Sequence, residues 1–520
     1  MKVASISQIR EVEAAADRSL LSYEAMMLRA GAAASAYLQQ RRSITTATQI
    51  AFLIGKGNNG GDGLVMANEL ARSTGADIRL YLLHPRDSSD KPYQAARRAG
   101  LPVTLAADDH EGQQLAGLIH SADILIDAVL GIGARLPLRG EAAVALERAN
   151  DCLRQRAARP FILAIDCPSG IDCDTGEADE FVIAADATIT FIAAKRGHFT
   201  FPAARTVGTL EIDSIGIPDS LPELDQIKAK VVDARAASSL LPARPLDGHK
   251  GAFGKVMVVA GSQHYIGAVA LAAEAAYRSG AGLVTIATTR RLIESVAGTL
   301  REPTWLPLPE IDSAIAESAA NLLVDEADGY DALLAGCGLG KHESTHAFLR
   351  RLLASDRLPA SVLDADALNL LSQDEAWWAR LPSDTIITPH PGELARMMRL
   401  SAKSINADRW AIARQCAEDW ELVILLKGAH TLAAAPDGRI GVLPFKTDSL
   451  STAGTGDILA GLIAGLRAQG LNAFESACLG AYVHGSAGII AAEAMGNSRS
   501  VIAGDVLPAL GNAFAALEMP

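Results

Sequence analysis

At 520 residues, with 49% hydrophobic residues and a mean hydropathy of +0.18, the chain has ample core material and too much length for one ordinary domain. At about 150 residues per domain the prior runs from two to four, and two large α/β domains fit best. A formal charge of −13 argues against a generic nucleic-acid scaffold, although backbone amides and a few local cations can still hold phosphates in an acidic protein.

Six cysteines, at 152, 167, 173, 337, 416 and 478, form no C-x-x-C pair and no zinc spacing with histidine. A reduced, cytoplasmic protein is expected, with Cys167 and Cys173 as small semi-buried fillers. Arg10, Glu11 and Glu13 stand where a signal peptide needs an apolar core, and no run reaches the roughly 18 apolar residues of a membrane span.

Ser5 to Gln40 reads as helix, with Ile6, Ile9, Val12 and Ala16 and later Met26, Met27 and Ala30 at helical intervals. Gln49–Ile54 is then a buried strand. It runs into Gly55-Lys56-Gly57-Asn58-Asn59-Gly60-Gly61-Asp62-Gly63 and the helical segment Leu64–Leu70. Strand, glycine-rich loop, helix is a phosphate-binding layout. The loop is neither a Walker A motif nor a clean G-x-G-x-x-G. Its paired asparagines are the informative departure, because their carbonyls can bind a cation or ribose hydroxyl and their amides can donate to phosphate.

Further strands are expected over 77–83, 121–130 and 160–165, with helices near 93–100 and 111–119. The second of these strands ends in Asp127 and then Gly131-Ile132-Gly133-Ala134-Arg135-Leu136-Pro137. The third ends in Asp166-Cys167-Pro168-Ser169-Gly170. Each loop follows an apolar strand, which is the crevice side of an open α/β sheet.

Two prolines and several turn formers between Ile217 and Asp225 break regular structure and set a boundary near 225. Lys255–Ala260 and Asp331–Ala335 read as strands, the latter leading into Gly336-Cys337-Gly338-Leu339-Gly340. Gly267-Ala268 opens a helix. Thr388-Pro389-His390-Pro391-Gly392-Glu393 and Lys427-Gly428-Ala429-His430-Thr431 each follow an apolar strand. Ser451-Thr452-Ala453-Gly454-Thr455-Gly456-Asp457 precedes the apolar run Ile458–Ala464, joining small residues, a helix start and one carboxylate in a pattern suited to phosphoryl chemistry. No period of 20 to 50 residues recurs, so fusion of two unrelated domains is expected rather than duplication.

Gly454-Thr455-Gly456-Asp457 looks like the anion hole and catalytic aspartate of ribokinase-like kinases. With His249-Lys250-Gly251, Gly336–Gly340, Leu363–Asn369 and the His-Pro-Gly-Glu run, it resembles the NAD(P)H-hydrate dehydratase branch over roughly residues 230 to 510. The glycine-asparagine loop, the Asp127 loop, the Asp166 loop, Asp186–Phe191 and Lys195 resemble the NAD(P)H-hydrate epimerase domain over about residues 1 to 220. The resemblance implies two Rossmann-like α/β/α domains, 1–225 and 226–520, the second ribokinase-like.

In the epimerase half it implies Asp166 as acid/base, with Asn58, Asn59, Gly60, Gly61, Asp62, Gly131–Pro137 and Asp166 on the hydrated dinucleotide. Asn59, Asp127 and Ser169 would bind potassium, a weakly demanding cation suited to oxygen ligands. Asn68 departs from the arginine common after this loop, a change expected to touch packing more than chemistry.

In the dehydratase half the resemblance implies Asp457 as catalytic base. Gly267, Ala268, Gly338, His390 and Asp457 would contact the hydrate, and Lys427, Gly428, Ala429, His430, Thr431 and Gly456 would bind ADP. Glu393 would hold Mg²⁺ through water. His390 also admits a purely structural reading, and Asp364 and Asp366 are expected to shape their turn. ADP as co-substrate, with NADHX and NADPHX as substrates, follows from the resemblance, as does a homo-oligomer such as a tetramer. Neither nucleic acid nor membrane is expected as a partner. Two rival readings are a sugar or vitamin kinase for the second half and a non-catalytic nucleotide or RNA-end binding module for the first.

Overall fold

The computed structural model describes residues 1–518, and the chain divides into two compact units, Met1–Lys228 and a second beginning at Ala229. In the first unit the expected helix over Ser5–Gln40 is two helices, α1 (Ile6–Ser19) and α2 (Tyr23–Arg41). The break has a local cause. Ser22 caps the second helix by accepting from the Ala25 N–H at 3.3 Å, so the chain restarts rather than continues.

Seven parallel strands follow: β1 (Gln49–Ile54), β2 (Asp77–Leu82), β3 (Val103–Leu105), β4 (Ile124–Ala128), β5 (Phe161–Ile165), β6 (Ala187–Phe191) and β7 (Thr209–Asp213). Their order across the sheet is β3-β2-β1-β4-β5-β6-β7. Phe52, Leu53 and Ile54 are fully buried, as a parallel strand covered by helices on both faces requires. The order reverses between β1 and β4, so a crevice opens at their C-terminal ends, where the Gly55–Gly63 and Gly131–Pro137 loops leave the sheet. One boundary differs from expectation. Helix α3 (Asn58–Thr74) starts inside the glycine-asparagine loop with Gly57 as N-cap, so Asn58, Asn59 and Gly60 supply its free N-terminal amides.

The second unit is built on a ten-stranded sheet. In chain order its strands are β8 (Ala229–Val231), β9 (Lys255–Val259), β10 (Leu283–Thr289), β11 (Thr304–Leu308), β12 (Ala332–Ala335), β13 (Ala360–Leu363), β14 (Ile386–Ile387), β15 (Val423–Leu426), β16 (Leu432–Ala434) and β17 (Ile440–Val442). Across the sheet they run β8-β17-β16-β15-β14-β13-β12-β9-β10-β11, parallel except where β16 pairs antiparallel with β15 and β17. The direction of winding reverses between β9 and β12, again placing a crevice at strand C-termini.

Helix α4 (Ile266–Arg278) packs against α6 (Thr455–Ala468), and α5 (Pro391–Met398) leads out of the His-Pro-Gly-Glu turn. Contact between α4 and α6 is backbone-close. A Cβ on Gly461 would lie 2.0 Å from the Ala272 carbonyl oxygen, so glycine there sets the interhelical distance. Nearly all of α6 is buried, which explains why its sequence is apolar all round rather than striped. Among the described residues no helix is long and apolar enough to cross a membrane.

Candidate active sites

In the first unit, Asp127 at the end of β4 is fully buried. Its Oδ1 accepts from Ser169 Oγ at 2.5 Å and from the Val129 N–H at 3.3 Å, and its Oδ2 from the Ser169 N–H at 2.8 Å. Burial pushes its pKa up, and these donors pull against that rise. Asn59 Nδ2 donates to the Leu130 carbonyl at 2.9 Å, and the Leu130 N–H donates to Ser169 Oγ at 2.8 Å. The three residues expected around potassium are therefore linked, Asn59 and Ser169 through Leu130 and Asp127 through Ser169. Asn59 Oδ1 is buried with no hydrogen-bond partner among the described residues, an oxygen that a cation would satisfy. The donor set consists of oxygens with one formal charge, which fits potassium.

Asp166 has φ +65°, rare for a residue with a side chain, and the Cys167 N–H bonds across it to the Ile165 carbonyl at 2.8 Å in a γ-turn. Asp166 Oδ1 accepts from Lys195 Nζ at 2.5 Å and Thr190 Oγ1 at 2.9 Å. A Cβ at Gly131 would stand 3.3 Å from both Asp166 Oδ2 and Asn59 Cβ, so the loop after β4 lies over the catalytic candidate. Burial alone would raise the Asp166 pKa, but Lys195 and Thr190 hold it below the usual carboxylate value. Asp62 moves the other way: burial first, then the charges of Asp166 and Glu13, drive it well above. Glu13 is raised for the same reasons.

Two clefts flank this group. Asn58, Asp62, Glu13 and Met27 line one of about 650 Å³, and Lys56 with Gly133–Pro137 lines another of about 580 Å³. Arg86, which sequence reasoning passed over, holds the glycine loop by donating to the Gly55 and Gly57 carbonyls at 2.9 and 3.3 Å. Thr190 and Glu13 were also missed. Asn68 donates to the Pro92 carbonyl at 3.0 Å, a packing contact.

In the second unit three strand ends converge. Lys427 after β15 places Nζ 2.7 Å from Asp364 Oδ1 and 3.7 Å from Glu393 Oε2. Gly456 borders both, a Cβ there standing 3.6 Å from Lys427 Nζ and 3.9 Å from Asp364 Oδ2. A cleft of about 420 Å³ is lined by His390, Lys427, Gly428, Ala429, Thr431 and Gly456, with Leu443, Phe445 and Leu450 as its apolar wall. His430 differs from its neighbours. Its ring is buried with Nδ1 3.0 Å from the Leu443 carbonyl, and its N–H donates to the Phe445 carbonyl at 2.8 Å, so the structure does not bring it to the cleft with Lys427–Ala429 and Thr431.

Asp457 lies in the first turn of α6, and ligand atoms of Asp457, Asp364 and Cys337 all fall within 4.8 Å of one another. Burial, and then the neighbouring Asp364 charge, pushes its pKa up to about 7. Gly338, beside Cys337, has φ +62° and so little room that a Cβ would stand 2.9 Å from Ala268 Cβ. Gly267 faces open space. Asp457 thus stands between that cleft and the Gly267–Ala268–Gly338 face.

Asp364 proves to be more than a turn former. It is 1% exposed and accepts from Thr388 Oγ1 and Lys427 Nζ, each at 2.7 Å. Asp366 keeps the structural part, accepting from the Gly340 N–H at 2.9 Å. His390 has both characters: Nδ1 caps α5, accepting from Gly392 and Glu393 amides at 3.0 and 3.3 Å, while the half-exposed ring borders the cleft. Glu393 reciprocates by accepting from the His390 N–H at 2.8 Å.

A family model described as NAD(P)H-hydrate dehydratase matches residues 256–507, and one described as YjeF-related protein N-terminus matches residues 23–197. The bifunctional NAD(P)H-hydrate repair enzyme Nnr of Moorella thermoacetica is 38% identical over 467 residues, covering 88% of this chain and 86% of its own. Its namesake from Coxiella burnetii is 35% identical over 510 residues, 97% of each chain. Among solved structures, ADP/ATP-dependent NAD(P)H-hydrate dehydratase from Bacillus subtilis, co-crystallised with ATP/Mg²⁺, is 28% identical with a TM-score of 0.47, covering 55% of this chain and 98% of that one. With both halves matched and near-full-length relatives above 30% identity, the chain belongs to the family of bifunctional NAD(P)H-hydrate repair enzymes.

Proposed function

We propose that this chain restores NADH and NADPH from their hydrates: the first unit interconverts the R and S epimers at C6, and the second dehydrates the S epimer with ADP, releasing AMP and phosphate. The observation that carries the reading is the placement of Asp457. It is a carboxyl raised to about 7, at the N-terminus of a buried helix, beside a nucleotide cleft that already holds a lysine.

A general base works best with a pKa near the operating pH. Asp457 takes the proton of the C6 hydroxyl, whose oxygen attacks the β-phosphorus of ADP while the bond to the bridging oxygen breaks and AMP leaves. The C6–O bond then breaks with its electrons going to phosphate, and loss of the C5 proton completes the C5–C6 double bond. Lys427 and the amides at Gly456 counter charge on the transferred group. Asp364 keeps Lys427 extended toward that position.

Glu393 is committed through Oε2 to the His390 amide, so it would hold magnesium through water rather than directly. When bound, magnesium would neutralise phosphate charge. In the first unit Asn59, Asp127 and Ser169 would hold potassium, which would supply positive charge toward the dinucleotide. Asp166 would move the proton at the C6 centre, with Gly131–Pro137 and the α3 amides holding the phosphates.

The test is one incubation of the full chain with hydrated NADH and ADP, following the absorbance of the reduced ring. Return of that absorbance with stoichiometric AMP and phosphate is expected. Accumulation of a stable phosphorylated product would instead identify a kinase.

A further inference from the structure

Lys195 uses every N–H of its side chain inside the protein. The ammonium, with the residue 1% exposed, donates to Asp166 Oδ1 at 2.5 Å, Thr190 Oγ1 at 2.6 Å and the Phe191 carbonyl at 3.2 Å. A lysine ammonium has three donors, so none is left for a substrate. Thr190, fully buried on β6, accepts from Lys195 and passes its own proton to the same Asp166 oxygen at 2.9 Å. Oδ1 is therefore gripped by two donors. Oδ2 has no hydrogen bond among the described residues and points at Gly131, where a Cβ would stand 3.3 Å from it, so glycine there leaves this oxygen its room.

The backbone around this grip is unusually constrained. Ile192 has φ +69°, and the Ala193 N–H bonds across it to the Phe191 carbonyl at 2.8 Å, the same γ-turn geometry as at Asp166 one strand away. Lys195 itself pairs in parallel register with Ala4. Two strained turns on neighbouring strands converge on one carboxylate. Such strain persists only where the surroundings over-determine it, and it clusters at functional sites.

We propose that Lys195 and Thr190 form a positioning device for epimerisation, locking Oδ1 of Asp166 so that Oδ2 alone is presented to the C6 centre of the hydrated ring. The inference rests on the reading of Asp166 as the acid/base of the first unit. A carboxylate free to rotate would offer either oxygen at varied angles, whereas proton transfer needs one oxygen at hydrogen-bond distance in a fixed direction. Lys195 and Thr190 are positioning residues, since neither touches substrate. The alternative is a buried ion pair that only holds β5 to β6, which would show in stability and not in the chemistry.

The experiment uses the full chain with a mixture of R and S hydrate and excess ADP. Reduced dinucleotide then returns in two phases, and the slower reports consumption of the R epimer. Thr190→Val keeps the shape of the side chain and the Lys195–Asp166 pair but removes one donor from Oδ1 and one acceptor from Lys195. Its expected effect is a fall of about tenfold in kcat for the R epimer with KM nearly unchanged.

The acid limb of its pH profile should also move to higher pH, because the lost hydrogen bond favoured the carboxylate. Lys195, His198, Glu13 and Asp62, the other groups facing Asp166, stay in place. Thr190→Ser should restore both. Lys195→Met should lose more, but it strands a buried carboxylate and can unfold the unit, so Thr190→Val decides. A Thr190→Val enzyme with normal kcat and an unmoved acid limb overturns the proposal. Asp166→Asn separates the two levels. If it still consumes the R epimer, the reading of Asp166 fails. If it is inactive while Thr190→Val is normal, only the positioning device fails.

Discussion

Lys427 Nζ stands 2.7 Å from Asp364, so the cation that lines the second unit's cleft arrives with a buried counter-charge already attached. Asp364 is also within 4.8 Å of Asp457 and, after burial, is the main cause of the raised Asp457 pKa. One residue therefore sets both the direction of the cation and the basicity of the proposed catalytic base, Asp457. Asp364→Asn should lower kcat for dehydration by about two orders of magnitude, as expected when positioned charge is lost. It should also shift the acid limb of the rate profile below about 7. A pH–rate profile with S hydrate and ADP measures both, and an unmoved limb would separate Asp364 from Asp457.

Dehydration should rise with pH through about 7 as Asp457 ionises, and folding should respond in the opposite sense. A carboxyl whose pKa climbs from 3.8 to about 7 on folding binds its proton more tightly in the native state. The stability tied to it is fully present below the unfolded value and is lost as pH rises through the folded one. Asp457→Asn should thus abolish turnover yet raise the melting temperature of the second unit by several degrees at pH 8. That advantage should grow between about pH 4 and pH 7 and level off above. Thermal unfolding of both proteins across this range checks it, and equal melting curves would contradict the buried-charge account.

Much of this architecture is legible in the chain because parallel strands covered on both faces must be apolar without interruption, as the strand is from Ile50 to Ile54, and their C-terminal loops must carry the chemistry. Asn59, Asp127 and Ser169 are picked out by the family resemblance, and the fold brings them together, Asn59 and Ser169 on Leu130 and Asp127 on Ser169. Asp364 looks like a turn former in the sequence because a carboxylate after a strand serves either purpose. What distinguishes it is Lys427, 63 residues away, and no local pattern records that pairing. The γ-turns at Asp166 and Ile192 left no trace because neither uses glycine, the residue that normally signals positive φ. Two asparagines among glycines read as a turn, yet the amides that Asn58 and Asn59 expose are those of a helix start.

Two glycines of α6 should behave in opposite ways. A Cβ at Gly456 would meet its nearest neighbour, Lys427 Nζ, at 3.6 Å, ordinary contact distance, so Gly456→Ala should fold normally and weaken ADP binding by filling the anion site. A Cβ at Gly461 would lie 2.0 Å from the Ala272 carbonyl oxygen, so Gly461→Ala must push α4 and α6 apart. Overpacking of this kind typically costs about 1–3 kcal/mol, occasionally more. Denaturant unfolding and the KM for ADP, measured on both variants, should show one effect each. A Gly456→Ala protein that binds ADP normally would remove Gly456 from the nucleotide site.

Asn59 Oδ1 is left buried without a partner among the described residues, beside Asp127 and Ser169, while its Nδ2 is fixed on Leu130. An oxygen so placed gains from a cation, and an ion that binds only the folded form protects the segment it contacts. Amide exchange over residues 127–137 should therefore be slower in potassium than in tetramethylammonium at equal ionic strength. Asn59→Ala should erase the difference between the two salts even if it loosens the loop in both, since the comparison is between ions within one protein. Asn68→Ala, which removes only the contact to the Pro92 carbonyl, should leave the difference intact. Equal exchange of the parent protein in the two salts would mean that Asn59 Oδ1 has some other partner in solution, and that Asp127 and Ser169 are joined for structural reasons alone.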